Sequence, residues 1–229
     1  MAFQGFDRDF PAFLKALARN NDKKWFDVNK AQFRRAVQDP FLEMLTALAE
    51  TMEKISPHIV VDPKRANGSM QRIYRDTRFG KDKTPYHTHV AAILKHEQGK
   101  KQSAPGYYLR VDLTGVTVGC GIMQPESPAL AKLRDAIVAD PKAWQKARDN
   151  RKFCSTYGEL AGESLKRAPR GYDAEHPCVD DLRRKDFVAF QVLPLASLHD
   201  KKFVSTLDKT YRAAVPLMQW LCAPLELDF

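Results

Sequence analysis

Apolar residues recur at helical spacing through the first quarter of the chain. After Asp9, the positions Phe10, Phe13, Leu14 and Leu17 line one face, Pro11 is tolerated in a first turn, and Asn20-Asn21 ends the helix near Arg19. Asp22 is placed to cap a second helix through Trp25, Phe26, Asn29, Phe33 and Val37. Asp39-Pro40 then resets the chain into a third helix carrying Phe41, Leu42, Leu45, Leu48, Met52 and Ile55. Trp25 and Phe26 are expected against the core, because Phe33, Phe41 and Leu45 offer apolar partners on adjacent segments.

The period then changes. Ile59-Val60-Val61, Met70 to Tyr74, Tyr86 to Leu94, Tyr107 to Leu113 and Val116 to Ile122 are short, rich in β-branched and aromatic residues, and separated by Asn67-Gly68, Gly80, Gly99 and Thr114-Gly115. They predict an antiparallel sheet linked by hairpins, the tightest at Leu113-Thr114-Gly115-Val116. Helical spacing returns in Leu130, Leu133 and Ile137, with Ser127 as the expected cap, and around Trp144, Ala147 and Phe153. Gly158, Gly162, Pro169 and Gly171 break the next stretch, and helices resume from Asp180-Asp181 and from Ser197 to Trp220.

Helices at both ends of a run of strands predict an α+β fold: a central, largely antiparallel sheet flanked by N-terminal and C-terminal helices. The expected organisation is one domain over 1–229. It has a helical part at 1–56, a strand-rich centre at 57–124 and a mainly helical part at 125–229. A hydrophobic share of 44% with 28% charged residues excludes the composition of a disordered chain. No apolar run is long enough to span a bilayer and the start has no export signal, so a cytoplasmic protein with no membrane partner is expected.

Cys120, Cys154, Cys178 and Cys222 lie too far apart for a zinc ribbon or a redox pair and are expected to be unpaired thiols. His87 and His89 share one face of a predicted strand, with His96 as a third histidine. Without a second pair or an acidic partner, that is a polar sheet face rather than a metal site, and no metal is expected. Walker, dinucleotide and Gly-x-Ser-x-Gly patterns are missing, so no cofactor is expected and the catalytic residues are unknown.

Charge singles out one segment. The net charge is +9, and between Lys64 and His89 seven Lys or Arg face two Asp, so about five of the excess positive charges gather there. Arg guanidinium forks bind carboxylate or phosphate oxygens in pairs. The expected ligand-binding residues are Arg72, Tyr74, Arg75, Asp76, Arg78, Lys81, Asp82, Lys83 and Tyr86, with the ligand an anionic small molecule. The two Asp serve equally well to pin a loop, or as a base should the protein be an enzyme, with Tyr86 or His87 as proton donor. A nucleic-acid-binding module is the alternative, supported by aromatic residues interleaved with Arg, and a non-catalytic interaction protein is the third class. The placement of the cations separates these: a concave cluster fits a small ligand, a broad stripe fits nucleic acid, and scattered pairs with Asp fit a scaffold.

Asn20 to Lys30, Arg72 to Tyr86, Phe3-Gln4-Gly5-Phe6 and Pro169-Arg170-Gly171-Tyr172 together resemble the conserved hypothetical proteins of the domain of unknown function 2461 family. The resemblance covers nearly the whole chain and implies no activity. Two departures stand out: His87 follows Tyr86 where a Lys is usual, and Gly121-Ile122-Met123-Gln124-Pro125 lacks the aromatic residue often found before that Pro.

Overall fold

The computed structural model describes residues 3–78 and 80–229, and Met1, Ala2 and Phe79 lie outside the described residues. Three helices open the chain, α1 (Asp9–Arg19), α2 (Lys23–Phe33) and α3 (Asp39–Glu53). The Asp22 side chain caps α2 by accepting from the Trp25 backbone N–H at 2.9 Å, as its position implies. Between α2 and α3 the chain does not stop: Arg34–Gln38 form a π-helical stretch that carries one helix into the next. Phe10, Phe13, Phe26, Phe41 and Leu45 are buried together, while Trp25 is half-buried and tilts against Phe13 with ring centroids 5.7 Å apart.

Five strands follow: β1 (Ile59–Val60), β2 (Val90–His96), β3 (Gly106–Val111), β4 (Val116–Ile122) and β5 (Phe187–Leu193). Every neighbouring pair is antiparallel and the spatial order equals the sequence order. The α+β expectation therefore holds, including the β3–β4 hairpin, whose tip is fixed by the Asp112 carboxylate accepting from the Thr114 backbone N–H at 2.8 Å. The later helices are α4 (Ser127–Ala139), α5 (Pro141–Arg148), α6 (Arg151–Tyr157), α7 (Val179–Leu182), α8 (Phe203–Ala213) and α9 (Val215–Cys222).

Three expectations need correction. The helix expected from Asp180-Asp181 is short and gives way to β5, because Phe187 to Leu193 is nearly all apolar and such a run does not separate a buried strand from a buried helix. The β-branched Val188 and Val192 of β5 and the closing Pro194 are the signals for a strand. Ser127 is the first residue of α4 rather than its cap, which is Glu126 and makes no side-chain capping bond. The expected strand Met70 to Tyr74 survives only as two isolated bridges, Met70 opposite Ala92 and Tyr74 opposite Tyr86. Six steps separate Tyr86 from Ala92 against four between Met70 and Tyr74, so the ladder cannot run unbroken.

Alternation along the strands decides which face is covered. Leu94, Leu109, Val118 and Ala189 are fully buried beneath helices including α8 and α9, whose Leu207, Tyr211 and Met218 join the same core. The opposite positions, Ile93, Lys95, Tyr108, Arg110, Thr117, Phe190 and Val192, are half-buried or exposed. The thiols do not meet: Cys120, Cys178 and Cys222 are buried apart and Cys154 is exposed, all free. No helix among the described residues is long and apolar enough to cross a membrane.

Gly121 in β4 has φ +112°, and a Cβ there would strike the Phe187 carbonyl of β5. Gly121→Ala is expected to cost about 2–4 kcal/mol through backbone strain and displacement of β5. Chemical denaturation with an unchanged midpoint would contradict that reading.

Candidate functional site

The charged segment leaves the sheet beside β2. Gln71 and Ser69 still bond to β2, through Gln71 N–H to the Ala91 carbonyl at 2.8 Å and Ile93 N–H to the Ser69 carbonyl at 3.0 Å. Beyond the break, Arg75 N–H donates to the Pro85 carbonyl at 2.9 Å and His87 N–H to the Ile73 carbonyl at 2.8 Å, closing a loop over 76–84. Asn21, at the α1–α2 junction, holds the base of this loop. Its amide donates to the Tyr86 carbonyl at 2.9 Å, and its carbonyl accepts from the Tyr86 N–H at 3.1 Å. A side-chain amide here replaces a neighbouring strand. The Tyr86 ring stacks on Phe26 with centroids 4.1 Å apart, and the exposed Tyr74 packs on Tyr86 at 5.3 Å.

Within the loop the charges are engaged with one another. Arg78 grips Asp76 with two parallel bonds, Nε to Oδ1 at 3.0 Å and Nη2 to Oδ2 at 2.7 Å. Arg75 Nη1 donates to Asp82 Oδ2 at 2.5 Å and also bonds Thr84, through its hydroxyl and, at 3.1 Å, its carbonyl. Asp82 accepts from the Thr84 backbone N–H and hydroxyl, both at 2.9 Å; these bonds, the backbone one foremost, and Arg75 hold its carboxyl at about 2. The Arg78 side chain, and then its backbone N–H, likewise lower the Asp76 carboxyl. Lys83 Nζ donates to the Thr77 carbonyl at 2.8 Å, Lys81 is exposed, and Tyr86 is buried in the aromatic cluster. The nine predicted residues are thus neighbours in a single loop and its base, but they do not point into one pocket.

Two of the nine, Arg72 and Tyr74, line a groove of about 220 Å³ between α2 and the 65–74 segment. Its floor is Phe26, Phe33, Met70 and Ile73, and its rim carries Lys30, Arg34, Arg65 and Arg72 with the amides of Gln38 and Gln71. Lys30, Arg34 and Gln38 follow one another at intervals of four and so share a stripe, the last two within the π-helical stretch. Two cations at i,i+4 repel, which costs the helix a few tenths of a kcal/mol. Arg65 arrives from the loop closed by Ser69 N–H on the Asp62 carbonyl and pairs with Asp39 at 2.8 Å. Among the described residues no other carboxylate is hydrogen-bonded to these four cations.

Sequence reasoning missed Arg34, Arg65, Gln38 and Gln71. The Lys30-x-x-x-Arg34-x-x-x-Gln38 spacing was the available signal, whereas the approach of Arg65 depends on tertiary folding. Asn29 donates back to the Trp25 carbonyl at 2.8 Å, within α2.

The expected strand Tyr86 to Leu94 starts only at Val90, so His87 and His89 lie in the irregular segment before β2 rather than on a strand face, with ring centroids 4.8 Å apart. Their charged neighbours include Arg75, Arg110 and Arg72, which oppose a further cation as they oppose protonation. His96, the last residue of β2, is buried, and its Nε2 lies 2.8 Å from the Asp228 carbonyl. No group of three potential metal ligands forms among the described residues.

A family model described as conserved hypothetical protein (DUF2461) matches residues 9–220, nearly the whole chain, in agreement with the resemblance carried by the Asn20–Lys30 and Arg72–Tyr86 runs. Comparison with curated proteins and with solved structures gave no match.

Asn21→Ala removes both bonds to Tyr86 and is expected to cost about 1–3 kcal/mol, read by thermal melting; a loss below 0.5 kcal/mol, roughly half of one typical hydrogen bond, would show that the aromatic stack alone holds the loop. His89 supplies a pH test. Burial foremost, then Arg110 and His87, push its imidazole from the ordinary 6.5 to about 4 against the opposing pull of Asp112. The unfolded chain binds the proton first, so stability is fully present above pH 6.5 and declines as pH falls toward 4. His89→Gln should flatten the melting temperature across that window relative to the parent, and parallel profiles would refute the assignment.

Proposed function

The chain belongs to the DUF2461 family of conserved hypothetical proteins, and on that footing we propose that it binds a small phosphorylated or carboxylated ligand in the groove between α2 and the 65–74 segment. The observation that carries this reading is the convergence of Lys30, Arg34, Arg65 and Arg72 over an apolar floor, with Asp39 on Arg65 as their one hydrogen-bonded carboxylate among the described residues. A bound anion relieves the repulsion between Lys30 and Arg34 and gives the Arg34 and Arg72 forks oxygens to hold. Tyr74, already braced by Tyr86 and Phe26, forms the wall against which the carbon part of the ligand packs. A groove of about 220 Å³ falls below the roughly 300–1,000 Å³ of drug-sized sites, which suits a charged head with a few carbons.

In this reading the Arg75–Lys83 loop is the shoulder of the site. Its Asp76 and Asp82 hold Arg78 and Arg75 in place, so the loop keeps its shape without placing a carboxylate in the groove. The concave placement favours a small ligand over a nucleic acid, for which a cationic stripe along the surface would be needed. The reading assigns binding and no chemical step.

Calorimetric titration with inorganic phosphate, a sugar monophosphate and a short dicarboxylate tests it. Arg34→Gln and Arg72→Gln should each weaken the best probe about tenfold or more, the scale of a lost charge-assisted hydrogen bond, while Arg78→Gln leaves it unchanged. Equal weakening by all three substitutions, or no saturable binding of any probe, would end the proposal. A single-stranded oligonucleotide that binds more tightly than all three probes and weakens steeply with salt would assign the groove to nucleic acid instead.

A further inference from the structure

The uncovered face of the sheet is not flat. The row running across it, Ile93, Tyr108, Gly119 and Phe190, has a glycine in the middle, and a Cβ at Gly119 would come within 2.8 Å of the Phe190 ring, which therefore lies down over it. The next row, Lys95, Gly106, Gly121 and Val188, has two glycines. Small residues in the middle of the sheet sink its surface while two walls rise beside it, the turn containing Gln102, Ser103 and Pro105, and the Met123–Pro125 segment. The result is a trough of about 680 Å³, three times the volume of the basic groove and within the ordinary range of small-molecule sites.

Its walls are fixed before any ligand arrives. The buried Asp186 carboxylate accepts from the Gln124 N–H at 2.7 Å and from the Glu163 N–H at 2.8 Å, which pins the second wall. Ser103 Oγ accepts from the Glu126 N–H at 2.9 Å and so ties the first wall to the second at one end. A preformed cavity avoids the ordering cost that a collapsed one imposes on binding.

The charge of the lining selects the ligand. Lys95 and Arg110 line the trough and no carboxylate does, among the described residues. Arg110 is paired through Nη2 with Asp112 at 2.9 Å, but its Nε is buried without a hydrogen-bond partner. Arg110 lies opposite Ala91, four residues along β2 from Lys95, so the two positions are separated along the strands by about 13 Å of backbone, with the Ile93–Tyr108 pair between them.

We infer that this trough binds a small amphipathic anion, an aromatic or acyl carboxylate, with its apolar body on Tyr108 and Phe190 and its acid group at Lys95. The site is separate from the basic groove, which lies beyond the β2 edge and is built from other residues. Pairing with a second copy fits the shape poorly. A two-fold contact sets the same surface against itself, and two troughs with raised walls would enclose a void ringed by the cations of both copies.

The test uses the whole chain and anilinonaphthalene sulfonate, an apolar aromatic anion whose fluorescence rises on leaving water, with decanoate as competitor. One saturable site is expected, displaced by decanoate and retained at saturating inorganic phosphate. Phe190→Ala and the surface substitution Lys95→Glu should each weaken it about fivefold or more, while cooperative melting shows that both variants fold. Lys95→Glu alters an exposed side chain, so it reports even where Phe190→Ala fails to fold. Absence of a saturable site, binding indifferent to Lys95→Glu, or displacement by phosphate would overturn the inference. So would a dimer in light scattering that Lys95→Glu dissociates, since the face would then be an interface between copies.

Discussion

The alternation of side chains along β2 to β5 is the constraint on which the rest of the molecule depends. One set of positions, from Leu94 through Leu109 and Val118 to Ala189, is packed to complete burial beneath helices, and the other set faces outward. A slip of one residue in any strand would exchange the two sets, placing Lys95 or Arg110 in the core and Leu94 or Leu109 outside. The register is therefore held by burial. Both concavities follow from it: the trough is the outward set with glycines at its centre, and the basic groove lies where the β2 edge is met by the N-terminal helices.

That meeting is arranged by few bonds. Asn21 pairs with the Tyr86 backbone as a strand would, and Phe26 stacks on the same residue, so the helix junction and the loop base are joined directly. The cations then divide by sequence distance. Arg75 and Arg78 find Asp82 and Asp76 within a few residues and are neutralised locally, whereas Lys30 and Arg34, on one helical stripe, are met by Arg72 from far along the chain, and none of the three is hydrogen-bonded to a carboxylate among the described residues. Local pairing shapes a loop, and long-range convergence of like charge leaves a demand for a counter-ion.

This division also explains what could be read from the sequence. Helical periodicity placed α1, α2 and α3, Asp22 identified itself as a cap, and Val116 to Ile122 read as a strand with its hairpin. β5 was hidden because a strand apolar on both faces carries no alternation. Of the Arg72–Tyr86 run, Arg72 and Tyr74 line the groove, whereas Arg75 and Arg78 turn to their own aspartates. A charge count cannot distinguish an arginine that has a local partner from one that lacks it. Arg65 was visible only as one charge in the basic segment and Gln71 had no signal, since their approach to α2 is set by the loop and the β2 edge.

The central claim, that the groove cations and not the loop cations await an anion, is tested most directly by following arginine side-chain Nε–H resonances during titration with inorganic phosphate. The account predicts that Arg34 and Arg72 shift together along one saturating curve while Arg75 and Arg78, held by Asp82 and Asp76, stay in place. Small, unsaturating shifts spread over all four would contradict it, as would saturation confined to Arg75 and Arg78.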